Sequence, residues 1–135
     1  MRQARRRALS VWLPNWPITR LQRVMPASSP GGIATVTVVD NARRLAAVDA
    51  IAAAAGLSPG QSMTDAFALW PQVKIVEAEP EEDERSLTRL ADWFQRFSPA
   101  VAVDGPDGIL LDIDGCAHLW GGEEALARAI LQRLT

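Results

Sequence analysis

The chain has 135 residues, of which 48% are hydrophobic and 22% charged, with a net charge of −2. That is enough apolar material for one core, or for one domain carrying a small insertion, and it excludes a disordered chain. A single cysteine, Cys116, and a single histidine, His118, exclude an internal disulfide framework and a Cys/His zinc site, so any metal would have to be held by carboxylates.

No apolar run approaches the length that spans a bilayer. The basic start leads into a short mixed segment that does not read as a signal peptide, which leaves a cytoplasmic protein as the expectation. Charge is unevenly spread. Residues 1–44 hold eight arginines against Asp40 alone, a net +7, and the rest of the chain is −9. Binding follows the local field, so a polyanion partner is expected for the first part. Arginine supplies thirteen of the fourteen basic residues and grips phosphate through its planar fork. The competing reading is a solvated basic tail.

In chain order, Ala8–Leu13 is a short apolar strand closed by Pro14 and Asn15, and Pro17 suits the first turn of a helix. On that helix Ile18, Leu21 and Val24 are expected inside, with Arg20 and Arg23 outside. Residues 26–32 read as a loop. Thr35–Val39 and Arg44–Val48 form a hairpin about Asn41-Ala42. Asp49 can cap the alanine-rich segment 50–55, which Gly56 stops. Ser62 or Thr64 opens a further helix on which Met63, Phe67 and Trp70 share a face, read as core packing, and Pro71 ends it. Val73–Glu77 is a strand. Pro80 and the acids at 81–83 start a long helix whose buried stripe is Leu87, Leu90, Ala91, Phe94 and Phe97.

The stretch from Phe97 to Gly115 reads as a β-hairpin turning at Gly105-Pro106-Asp107-Gly108, with strand residues Val101, Val103 and Ile109–Leu111. It carries Asp104, Asp107, Asp112 and Asp114. Carboxylates at a hairpin tip can hold divalent metals for phosphoryl transfer. Equally, Asp in a Pro-Asp-Gly turn serves backbone hydrogen bonding, and alternating Asp marks a wet strand face. Gly121-Gly122 then leads into a final helix with Leu126, Ile130 and Leu134 along one side.

Setting aside residues 14–72 leaves strand, long helix, strand, strand, helix. This is an α+β, ferredoxin-like split βαβ lacking its last strand. The expected division is therefore a palm-like unit from 1–13 and 73–135, with a small, mostly helical fingers-like insert at 14–72. The missing strand leaves an open sheet edge, which invites pairing with another chain, and leads us to expect a longer protein.

The order of segments resembles the Y-family translesion DNA polymerases over nearly the whole chain, as far as palm and fingers. GLSPGQSMTDAFALWP is similar to the family's Gly-hydrophobic-x-x-Gly/Ala-Met-x-x-x-Ala-x-x-x-x-Pro stretch, and RFSPAV to the lead-in to its second carboxylate motif. Against the opening Asp-x-Asp pattern of active members, this chain has Trp12 and Pro14. Against the second motif, Ser-x-Asp-Glu, it keeps Asp107 and Asp112 but has Gly108 for the glutamate. The fingers Tyr-x-x-Arg falls on Ala50 and Ala53.

The resemblance implies that the sites for metal and nucleotide are lost, leaving vestigial Asp107 and Asp112, no cofactor and no catalysis. It points to the catalytically defective mutasome branch, scaffolds of the damage (SOS) response that gather a separate error-prone polymerase, the sliding clamp and a RecA-like accessory protein on DNA. DNA contacts are expected at Arg20, Arg23, Arg43 and Arg44, the alternative being that some of them pair with Asp40 or with acids of the palm, and Trp12 is expected to be packed in the space a metal would need. Two other readings compete. One is an active nucleotidyltransferase with Asp104, Asp107 and Asp112 regrouped about metals; the other is a ferredoxin-like interaction domain that binds no nucleic acid.

Overall fold

The computed structural model of the protein describes residues 7–25, 29–114 and 116–134. Arginines 2, 5 and 6, part of the expected 26–32 loop and the glycine at 115 lie outside them. The elements in order are β1 (Ala8–Trp12), α1 (Trp16–Val24), β2 (Ile33–Val39), β3 (Ala42–Val48), α2 (Ala50–Ala54), α3 (Met63–Leu69), β4 (Lys74–Glu77), α4 (Pro80–Phe94), β5 (Val101–Asp104), β6 (Gly108–Asp112) and α5 (Glu123–Leu134), with a 3-10 turn at Ala117–Trp120. They fall into two compact units, one made of Met1–Leu13 and Arg85–Thr135, the other of Pro14–Glu84.

The first unit holds a sheet in the order β1-β6-β5. Both pairings are antiparallel, so β1 and β5 run parallel on either side of β6. This is the split βαβ expected from the sequence, with three strands among the described residues and β1 and β5 at the edges. Alternation along the strands sorts the two faces. Ile109 and Leu111 are buried and, with Leu87, Ala91 and Phe94 of α4 and Leu126 and Ile130 of α5, supply the core. Phe97 is buried beyond the end of α4, its ring 4.9 Å from that of Trp120. Ser10, Leu110 and Ala102 share one cross-strand row and are all exposed. The β5–β6 hairpin closes on residues 105–107, with Gly105 at φ +65, a conformation that costs glycine least. Behind it, the buried Ser98 hydroxyl donates to the Asp112 carbonyl and ties the start of β5 to the end of β6.

The second unit is organised by a sheet in the order β3-β2-β4. β2 and β3 form a hairpin with a two-residue turn, Asp40 and Asn41 both at positive φ, the geometry that matches the strands' twist. β4 lies parallel to β2. The division is expected after residue 72; ladder hydrogen bonds hold β4 to β2, and the two compact units divide after Glu84, within α4. The insert accordingly has a three-stranded sheet as well as its helices.

Caps follow the sequence reading. The Asp49 carboxylate accepts from the Ala52 amide at 2.8 Å and opens α2, and the Ser62 hydroxyl accepts from the Asp65 amide at 3.1 Å and opens α3. One cluster packs Ala34, Leu45, Ala52, Leu57, Ala66 and Val73; another packs Ile18, Leu21, Ile33 and Ala47.

Three orientation expectations are overturned. On α3 the buried residue is Ala66 and Phe67 is 40% exposed, whereas Trp70, which caps the helix end, packs partly buried against the core cluster as expected. On α1, Val24 is exposed in the last turn, whereas Arg20 is only 9% exposed. Arg20 sits one turn after buried Trp16 and is held by acids.

Candidate functional site

β1 and β6 align so that Trp12 lies directly opposite Gly108, and Gly108 in turn lies opposite Asp104 on β5. The pairing extends one residue further, with the Leu13 amide donating to the Asp107 carbonyl at 2.7 Å. The positions that the family motifs single out, Trp12, Asp107 and Gly108, thus meet at one end of the first sheet. Trp12 is not packed away as expected. It is 71% exposed, because Leu9 and Val11 take the other, half-buried side of β1 and strand alternation sends residue 12 outward. Its indole N–H donates to the Asp107 carboxylate, Nε1 to Oδ2 at 3.3 Å.

Gly108 is buried, and a Cβ there would come within 2.8 Å of the Asp104 carbonyl oxygen. Any side chain at 108, glutamate included, would require the end of β5 to move. Mg²⁺ takes about six oxygen ligands in near-octahedral geometry, usually one or two protein carboxylates with waters and substrate phosphates, so a pair of ions calls for several carboxylates between them. What stands at this end of the sheet is the half-buried Asp107, whose carboxylate already accepts from an indole, and the exposed Asp104 across from a glycine. Among the described residues no three His, Cys, Asp or Glu side chains come together in a way that could hold a metal. This donor set does not fit a catalytic metal pair.

The other hairpin carboxylates are dispersed. Asp112 pairs with Ala8 at the far end of β6, four residues beyond Gly108 and so about 13 Å away along the strand. Its Oδ1 accepts from the Asp114 amide at 3.0 Å, a local turn bond. The grouping of Asp104, Asp107 and Asp112 about shared metals is therefore corrected: the length of β6 holds Asp112 apart from the other two. Asp104 and Asp114 are exposed.

In the second unit, Ala50 and Ala53 lie on the exposed side of α2. Neither carries a group that could contact a triphosphate. The four arginines singled out for DNA have unequal surroundings. Arg20 Nε donates to Asp83 at 2.5 Å, with Glu79 at 3.9 Å, and Trp16 Nε1 donates to the Asp83 carbonyl at 2.9 Å, so this arginine is a buried structural partner and does not face outward. The alternative that some of these arginines pair with acids of the palm holds for Arg20: Glu79 and Asp83 stand one helical turn apart, placed to share the cation. Arg43 pairs with Glu77 across the sheet, and Arg44 donates to the Gly60 carbonyl at 2.9 Å, both exposed. Arg23 lies exposed above Trp16, 5.9 Å from the ring centre.

Residues 30–135 match the model of the impB/mucB/samB family. The chain belongs to that family. The ImuB proteins of two Caulobacter vibrioides strains are each 51% identical over 79 residues, which is 58% of this chain but only 17% of theirs, so it spans a small part of the curated relatives it matches. Among solved structures, a post-insertion binary complex of Dbh DNA polymerase superposes with a TM-score of 0.76 at 18% identity, covering 94% of this chain and 38% of that one. DinB from Sulfolobus solfataricus gives 0.74 at 16% identity, covering 93% and 37%. The family's fold is thus the palm and fingers arrangement of the Y-family DNA polymerases, as the sequence resemblance implied. No helix of the described residues is long and apolar enough to cross a membrane.

Proposed function

We propose that the protein to which this chain belongs is a non-catalytic Y-family polymerase homologue, an adaptor in damage-induced translesion synthesis that acts in the cytoplasm. The observation that carries this reading is the pairing of Trp12 with Gly108, an indole and a bare backbone on the rung where an active member needs carboxylates. Two-metal phosphoryl transfer depends on those carboxylates to hold the ions that neutralise charge on the transferring group. Asp107, already accepting from the Trp12 indole, and the exposed Asp104 on the edge strand are too few ligands for that chemistry. The alanines at 50 and 53 leave the fingers without a side chain for the triphosphate.

The likeness to ImuB over 79 residues supports placing the protein in the mutasome branch. Its role there is to bring an error-prone polymerase, the sliding clamp and a RecA-like accessory protein to damaged DNA, using no cofactor of its own. DNA contact falls to the exposed Arg23, Arg43 and Arg44, with Arg20 withdrawn to the interior.

Titration of the full-length protein with Mn²⁺, followed by electron paramagnetic resonance, tests the reading. The expected spectrum is that of free hexaaquo Mn²⁺ throughout. Bound Mn²⁺ that disappears in Asp107→Asn would overturn it.

A further inference from the structure

The segments that join α4 to β5 and β6 to α5 meet where the Ser98 hydroxyl donates to the Asp112 carbonyl, at the end of the first sheet away from Trp12 and Gly108. Here runs an open groove of about 360 Å³, lined by Arg96, Phe97, Pro99, Cys116, Leu119 and Trp120 among others. Its floor is aromatic. The buried Phe97 ring has the Trp93 ring at 5.4 Å and the Trp120 ring at 4.9 Å. Its rim is apolar as well, since the short 3-10 turn leaves Leu119 73% exposed and Trp120 38% exposed.

Arg96 is the one charged side chain among the described residues lining the groove. Its Nε donates to the Trp93 carbonyl at 3.1 Å, and its guanidinium lies 4.5 Å from the centre of the Trp93 ring, so the group is held in place from one side. No carboxylate pairs with it among the described residues. The Asp92, Trp93 and Phe94 carbonyls at the end of α4, which could otherwise offer negative charge here, accept from the amides of Gln95, Arg96 and Phe97. The groove therefore presents an oriented positive charge beside aromatic and aliphatic surface.

Tryptophan and arginine about a groove are the composition of a protein-binding anchor site. Charge selects the partner, because a carboxylate is drawn to Arg96 and a lysine is repelled. Arginines 2, 5 and 6 carry the same sign and cannot reverse that preference. A nucleic-acid strand needs a cation for each of several phosphates and open ring faces for its bases. One cation lines this groove, and the Phe97 ring is buried.

We propose that this groove is a docking site for a segment of a partner protein that carries glutamate or aspartate next to bulky apolar side chains. The carboxylate meets Arg96, and the apolar side chains cover Leu119 and the exposed side of Trp120. The proposal goes beyond the adaptor reading and does not rest on it, since the groove lies away from the rung of Trp12 and Gly108.

The test uses the full-length protein and a labelled synthetic peptide repeating Glu-Leu-Ser-Leu, with repeats of Lys-Leu-Ser-Leu and Glu-Ser-Ser-Ser and oligothymidine as contrasting probes. Binding is read by fluorescence anisotropy and mapped by hydrogen exchange. The Glu-Leu peptide is expected to bind and to slow exchange over residues 95–98 and 116–120. Arg96→Gln is expected to weaken it about fivefold, from the loss of an exposed ion pair. Leu119→Ser is expected to weaken it about tenfold, from the loss of apolar contact. Both positions are exposed, so neither change endangers the fold. Arg96→Glu should reverse the preference, so that this variant binds the Lys-Leu peptide more tightly than the Glu-Leu peptide. In the unaltered protein none of the contrasting probes should protect these segments.

The proposal is overturned if the Glu-Leu peptide fails to bind, if Arg96→Gln or Leu119→Ser binds it unchanged, if Arg96→Glu does not reverse the preference, or if a contrasting probe protects the same segments. It is also overturned if these segments exchange as slowly without a probe as with one, which would mean that another part of the chain or a second copy covers the groove. None of these results bears on metal binding, so the adaptor reading and this one fail separately.

Discussion

Removing the Arg20 guanidinium should unfold the second unit more readily and leave DNA affinity little changed. The side chain is 10% exposed and its partner Asp83 14%, with Nε and Oδ1 2.5 Å apart, so Arg20→Ala strands a carboxylate that water cannot fully resolvate. Breaking a buried pair from one side costs roughly 3–5 kcal/mol. Part of that is recovered here, because Asp83 stays in the first turn of α4, where the helix dipole favours an anion by about 0.3–1 kcal/mol. We therefore expect a loss of about 3 kcal/mol, measured by urea denaturation followed by circular dichroism. The double variant Arg20→Met with Asp83→Leu, which removes both charges and keeps apolar bulk, should restore most of it. A loss below about 0.5 kcal/mol, the range of an ordinary surface substitution, together with weaker DNA binding by the full-length protein, would refute the reasoning and return Arg20 to the DNA-contacting surface.

Phe94 is fully buried, its ring 5.2 Å from that of Trp93 and 6.0 Å from that of Phe97, and Phe94→Ala should cost about 3–5 kcal/mol in the same denaturation assay. Gly108→Ala pushes a methyl group to 2.8 Å from the Asp104 carbonyl and should cost about 1–3 kcal/mol; a neutral result would mean that the hairpin end yields freely. In the full-length protein, Arg23→Ala, Arg43→Ala and Arg44→Ala together should weaken DNA binding by a similar factor on any sequence. The slope of log affinity against log salt should flatten by about 0.7–0.9 for each phosphate that is no longer neutralised, and an unchanged slope would assign these arginines to a protein partner.

Much of the fold could be read locally. Gly105, the Asp49 and Ser62 caps and the stripe of Leu87, Ala91 and Phe94 are all decided within a few residues, and the structure has them where sequence logic put them, while the β2–β3 turn falls on Asp40-Asn41, one residue before the expected Asn41-Ala42. Long-range pairing was less legible. Nothing in residues 74–77 says whether they pair with β1 or with β2, since a short apolar strand fits either sheet, and only the assembled ladder assigns them. Arg20 was misplaced because its residue type outweighed its position, one turn from Trp16 and complemented by acids some sixty residues on. Trp12 was misplaced for the opposite reason: its bulk suggested burial, although the alternation of Leu9 and Val11 already fixed it on the other face. The site itself was legible as a set of substitutions. The pairing of Trp12 with Gly108 brings them to one rung, and the indole bond to Asp107 is a feature that no sequence pattern announced.

The proposal that this palm does no phosphoryl transfer is tested most directly by primer extension with the full-length protein. With a primed template, all four deoxynucleoside triphosphates and either Mg²⁺ or Mn²⁺, the account predicts no incorporation, and no difference between the protein and its Asp107→Ala variant. Incorporation that the Asp107→Ala variant abolishes would contradict it, because it would show that this carboxylate, despite its indole partner and the glycine beside it, still holds a catalytic metal.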